Sequence, residues 1–166
     1  MKIMLSELQQ KSVWEGWLSS EIRANYFADL CYRYQHRQRV INWVTLAFSS
    51  GAFVSLISDW LPPRFGWMKP TLAASTAGLS GWALLAQNQK HSTDCSDLSF
   101  QWNKVSGEYK ALWDEMYSPD AVMRLRSLMD REAELSKRGH ALAHKQNLME
   151  KWEDHVVRHH TSTAAA

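Results

Sequence analysis

The chain has 166 residues, with 19 Lys and Arg against 17 Asp and Glu, a pI near 8.6 and a mean hydropathy of −0.40. Charge this near balance, with both signs mixed along the chain, sets up no field that demands nucleic acid, and the length suits a single domain. Cys31 and Cys95, without clustered partners, make neither a disulfide framework nor a zinc site and read as reduced, structural thiols.

The first twenty residues carry Glu7 and Glu15 and have no apolar core of the signal-peptide kind, so no cleaved targeting sequence is expected. Residues 1–39 are expected to form an N-terminal cytoplasmic helical segment. From Trp14 to Arg39 there is no Pro and no Gly beyond Gly16. Ile22, Tyr26 or Phe27, Leu30 and Tyr34 recur at steps of three and four, with Ser19 or Ser20 as N-cap.

Val40 to Ser58 and Pro70 to Gln89 are uncharged runs of nineteen and twenty residues. As helices, each would reach about 30 Å, the thickness of a bilayer's hydrocarbon core. The expectation is a transmembrane helical hairpin with spans at 40–61 and 70–89 and an extracytoplasmic loop at 62–69 carrying Pro62 and Pro63. Trp43 and Trp82 then fall at one interface and Trp60 and Trp67 at the other, as aromatic belts require. Arg33, Arg37 and Arg39 anchor the cytoplasmic side. With Arg23, Lys90 and Lys104, these cations outnumber Arg64 and Lys69 in the loop, which puts both termini in the cytoplasm. The other arrangement open to these runs is a buried hairpin inside a soluble helical bundle.

The spans are rich in small and hydroxyl residues. Ala47, Gly51 and Ser55, and Ala77 and Gly81, stand one turn apart, the pattern that lets helix backbones approach, within the hairpin or between copies. One hairpin cannot enclose an ion path, so a channel would need several copies around an axis. Thr45, Ser49, Thr76 and Ser80 are then the candidate pore lining, unless these hydroxyls bond back to their own helix.

Beyond the spans, Leu98, Trp102, Val105, Tyr109, Leu112 or Trp113 and Met116 mark a stalk helix over 90–117 with an aromatic stripe. This stripe is expected to pack antiparallel on the N-terminal one, as core before ligand pocket. Ser118-Pro119-Asp120 is expected to end that helix and cap the next, a single C-terminal cytoplasmic helix over 119–160, followed by a disordered tail at 161–166. Leu128, Leu135, Leu142, Met149 and Val156 fall at steps of seven, but Leu125, Glu132, Gly139 and Gln146 fill the companion position, so only half a coiled-coil seam is present. Trp102, Tyr109, Trp113, Arg124, Arg126 and Arg131 are candidate partner contacts.

No Gly-rich phosphate loop or nucleophile elbow is present, so no catalytic residue, cofactor or small-molecule substrate is assigned and the chain does not read as an enzyme. His140 and His144, and His155 and His159, stand at i and i+4. Without a Glu or Asp to complete a motif they read as solvated side chains, and no metal site is assigned.

The layout of Trp17, Ile22-Arg23, Tyr26-Phe27 and Tyr34-x-x-Arg37-x-Arg39 before the first run, with Trp102, Tyr109 and Trp113 after the second, resembles the SLATT-type two-span proteins over roughly residues 14–116. That resemblance implies an all-α, toxin-like effector of bacterial antiviral defence. Such an effector is held beside a cytoplasmic regulatory protein or ribonucleoprotein sensor, as in CBASS-type or retron-associated systems, and oligomerises to permeabilise or depolarise the lipid bilayer. The alternative is a membrane-anchored helical scaffold without pore activity.

Overall fold

A computed structural model describes residues 5–49, 78, 88–142 and 144–164. The protein is all-α: α1 is Glu7–Ser49, α2 Asn88–Asp114, α3 Ala121–Gly139 and α4 Gln146–Ala164, with no strand among the described residues. Two compact units divide it. Met1–Cys31 with Thr93–Ala166 make one, and Tyr32–Ser92 the other, so α1 contributes to both.

α1 begins seven residues before Trp14, and its N-terminus explains why. The Gln9 N–H donates to Ser6 Oγ at 3.3 Å while the Ser6 N–H donates to Gln9 Oε1 at 2.9 Å, a reciprocal capping box that satisfies two N–H groups at the helix start. Ser19 and Ser20, the expected caps, lie inside the helix. Ser20 is buried and its hydroxyl donates to the Trp17 carbonyl at 2.8 Å, the back-bonding that lets a hydroxyl sit within a helix.

In the first unit, Val13, Ala24, Phe27, Leu30 and Cys31 of α1 are buried. On α2, Cys95, Leu98, Trp102, Val105, Tyr109 and Leu112 are all 9% exposed or less, at alternating steps of three and four that hold one helical face inward. Burying a side chain of Leu or Phe size contributes about 1.5–3 kcal/mol, so this stripe is what makes α2 part of the core. The two helices run antiparallel. Gly16 lies against the Tyr109 ring, Arg23 covers the Trp102 ring, and Ser99 Oγ donates to the Ala24 carbonyl at 2.9 Å.

Helix α2 stops at Asp114, and a turn through Ser118 and Pro119 leads into α3. The break falls where expected, but the cap does not form. Asp120 has backbone angles of φ −96° and ψ −1° and no side-chain bond to the α3 N-terminus, because its carboxylate accepts from the Ser118 hydroxyl instead. That bond holds the Asp120 carboxyl below its usual range.

Instead of one C-terminal helix over 119–160 there are two. α3 ends at Gly139, where the Ala141 N–H bonds the Arg138 carbonyl and the Leu142 N–H the Gly139 carbonyl, three-residue closures that tighten and terminate a last turn. α4 then runs on to Ala164, into the stretch expected to be a tail. Leu128, Leu135, Leu142 and Val156 are buried nonetheless, so the step of seven serves two helices in turn.

In the second unit α1 continues through Arg33, Arg37 and Arg39 to Ser49, and the rings of Tyr34 and His91 lie 5.5 Å apart. Val40, Trp43 and Leu46 are 47%, 66% and 59% exposed. Among the described residues no helix is long and apolar enough to cross a membrane. Of the expected spans only Val40–Ser49, Gly78 and Asn88–Gln89 are described; the rest, with the 62–69 loop, lies outside the described residues.

Candidate functional site

The first unit holds a polar network around Glu132 of α3. Oε1 accepts from Ser19 Oγ and from Arg23 Nη1, each at 3.4 Å, and Oε2 accepts from the Tyr109 hydroxyl at 3.2 Å. Arg23 Nη1 also donates to Ser136 Oγ at 2.7 Å. One carboxylate thus joins α1, α2 and α3. Burial first, and then the Glu132 charge, push the Tyr109 hydroxyl well above the usual phenol range.

Beside this network is a cavity of about 440 Å³, into which all four helices contribute. Its polar lining comes from Arg23, Ser136, His140 and His144 and its apolar lining from Phe27, Leu135, Leu142 and Met149, beside Tyr26 and Trp102. The Lys145 N–H donates to the Tyr26 hydroxyl at 3.1 Å, which ties the α3–α4 connection to α1. Trp102 is 1% exposed, and its Nε1 has no hydrogen-bond partner among the described residues. The Arg23 guanidinium carbon lies 4.6 Å from the Trp102 ring centroid, within cation–π range.

Along the outside, α2 and α3 are laced by ion pairs. Arg124 meets Glu115, Arg131 meets Glu108 at 3.0 Å, and Arg138 meets Asp97. The arginines stand seven residues apart and their acids run backward from Glu115, just past the end of α2, to Glu108 and Asp97 on it, as an antiparallel pair requires. The Gln101 amide and then Arg138 hold the Asp97 carboxyl below its usual range.

A second aromatic group closes the far end of α4. The His160 ring lies 4.9 Å from Trp17 and 5.6 Å from Trp14, Trp14 lies 5.4 Å from Trp113, and His160 Nε2 is 2.8 Å from Glu21 Oε2.

Cys31 and Cys95 are both buried and neither is in a disulfide. Burial first, and then the neighbouring Cys31, push the Cys95 thiol up to about 12. A thiol held neutral in this way is a poor nucleophile.

The expected site residues fare unevenly. Trp102 and Tyr109 are each 1% exposed in the core, so as partner contacts they are displaced by their packing: α1 and α3 already cover them. Trp113 is half-buried against Trp14, and Arg124 and Arg131 are committed to Glu115 and Glu108. Arg126 is exposed and makes no ion pair among the described residues. Trp43, Arg33, Arg37, Arg39 and Ala47 are exposed on α1 and Thr45 is half-buried, while Ser49 ends that helix. Gly51, Ser55, Trp60, Trp67, Thr76, Ala77, Ser80, Gly81 and Trp82 lie outside the described residues.

His140 sits in the turn after α3 and His144 ahead of α4, so that pair shares no helix, while His155 and His159 are exposed on α4. Among the described residues no group of three or more His, Cys, Asp or Glu is placed to hold a metal. The Glu132 network and the cavity were not anticipated. Arg23 stands 109 residues from Glu132 and 113 from Ser136, and only a known helix register brings them together. No family model, curated protein or solved structure matches the chain.

Proposed function

We propose that this chain is a small two-span effector of a bacterial inner membrane, of the SLATT-like kind used in antiviral defence, which oligomerises to permeabilise or depolarise the bilayer. The supporting observation is the continuity of α1. It stays helical past Arg33, Arg37 and Arg39 into the uncharged run, with Val40, Trp43 and Leu46 exposed. Cations followed by exposed apolar side chains and a Trp on one helix are what a membrane interface selects. The helices of the first unit are then cytoplasmic, where a regulatory protein or ribonucleoprotein sensor can restrain or release the effector.

The test is membrane potential, read with a voltage-sensitive dye in bacteria expressing this chain alone, beside Gly51→Leu, which blocks close helix approach. Depolarisation abolished by the variant is expected. Unchanged potential with the protein in the membrane fraction would favour a helical tether without pore activity, and recovery in the soluble fraction without detergent would overturn the membrane reading.

A further inference from the structure

We propose that the cavity lined by Arg23 and Trp102 is a binding site for a small amphipathic monocarboxylate. The assignment goes beyond the membrane reading and does not depend on it, since every lining residue belongs to the first unit.

The lining chooses the ligand's polarity. Among the described residues no Asp or Glu lines the cavity, whereas Arg23 and Ser136 do. Of the five guanidinium N–H donors of Arg23, only Nη1 is engaged, with Glu132 and Ser136, and Nε and Nη2 donate to no described residue. The Trp102 Nε1–H is buried and also lacks an acceptor. A guanidinium with donors left over gains charge-assisted hydrogen bonds from a ligand carboxylate.

Charge count sets the head group. Arg23 is the one guanidinium in the lining and is already shared with Glu132. A single half-neutralised cation matches a monoanion, and the planar fork fits a carboxylate in two-point contact. A doubly charged phosphate monoester would face too little positive charge.

The apolar lining sets the rest. Phe27, Leu135, Leu142 and Met149 offer an apolar surface, with Met supplying adaptable packing. A volume of about 440 Å³ falls within the range of about 300–1,000 Å³ typical of small-molecule sites. The carboxylate would meet Arg23 while the chain or ring lies along Leu142 and Met149.

The experiment uses the full chain in nonionic detergent with 5-fluorotryptophan incorporated, and reads the Trp102 fluorine resonance, identified with Trp102→Phe, during titration with octanoate. A saturable shift is expected with octanoate and none with octylammonium or 1-octanol. Arg23→Gln should weaken octanoate binding about tenfold or more, the usual loss for a hydrogen bond to a charged group, and Arg23→Lys by less. Gly139→Leu, which builds a side chain toward Phe27 from a residue lining the cavity, should abolish binding; unchanged signals from the other tryptophans would report an intact fold. The absence of a saturable Trp102 shift, an equal response to octylammonium or 1-octanol, or undiminished binding in Arg23→Gln or Gly139→Leu would overturn the site. Tighter binding of octyl phosphate would overturn the carboxylate assignment.

Discussion

The ring of Tyr109 occupies the space in which a Cβ on residue 16 would sit: its Cζ lies 2.5 Å from that position. Gly16 is therefore the contact that lets α1 and α2 approach, and Tyr109, 1% exposed and hydrogen-bonded to Glu132, has nowhere to retreat. Gly16→Ala should destabilise the protein by about 1–3 kcal/mol in urea unfolding, despite the better helix propensity of Ala, because overpacking outweighs it. Gly107 supplies the internal comparison. A Cβ there meets nothing within 4 Å, so Gly107→Ala should stabilise by about 0.5–1 kcal/mol.

Removing the shared acceptor should cost more than removing one of its donors. Glu132→Ala leaves the Tyr109 hydroxyl and Arg23 without their carboxylate, and a loss of about 1–3 kcal/mol is expected; Tyr109→Phe should cost about 1 kcal/mol. The double variant should fall short of the sum by about 0.5 kcal/mol or more, since both substitutions break the same bond. Additive losses would show that the two groups do not interact.

Alkaline pH should weaken the fold through Cys95 and Tyr109. Both are held protonated above their usual values by burial. Once pH passes the value each has in the unfolded chain, the unfolded state carries fewer protons than the folded one, and stability falls as pH rises. The Cys95 contribution is complete below about 9 and is lost between about 9 and 12, at no more than about 1.4 kcal/mol per pH unit. Urea midpoints measured at pH 8 to 11 should fall less steeply in Cys95→Ala. Iodoacetamide should label Cys95 in the folded protein only as fast as the fold opens.

The end of α4 should be released by a single change. His160→Ala removes ring contacts with Trp14 and Trp17 and the bond to Glu21. Ring pairs of this kind contribute about 0.5–1.5 kcal/mol each. Faster amide exchange over residues 156–164, with α2 unchanged, is the expected result; uniform acceleration would mean that α4 is integral to the core.

The three-four periodicity of α2 was legible residue by residue, because a stripe running Leu98, Trp102, Val105, Tyr109 and Leu112 has one inward face in any helical packing. The start of α1 was equally available in the Ser6-x-x-Gln9 spacing, but the apolar pattern from Trp14 onward drew the boundary inward. The turn at Gly139 was hidden because the step of seven continues through it from Leu135 to Leu142. The cavity could not be read at all. It depends on Arg23, Trp102 and Ser136 meeting across three helices, and no local spacing encodes that meeting.

The link from Ser19 to Glu132 spans 113 residues, and in the first unit every helix that covers α1 follows it in the chain. Emerging from the ribosome N-terminus first, α1 must wait for α2, α3 and α4, which are neighbours in sequence and can assemble by short closures. For that interval the stripe of Val13, Phe27 and Leu30 is uncovered. It is the part of the newborn protein on which a chaperone, or a second unfinished chain, would first take hold.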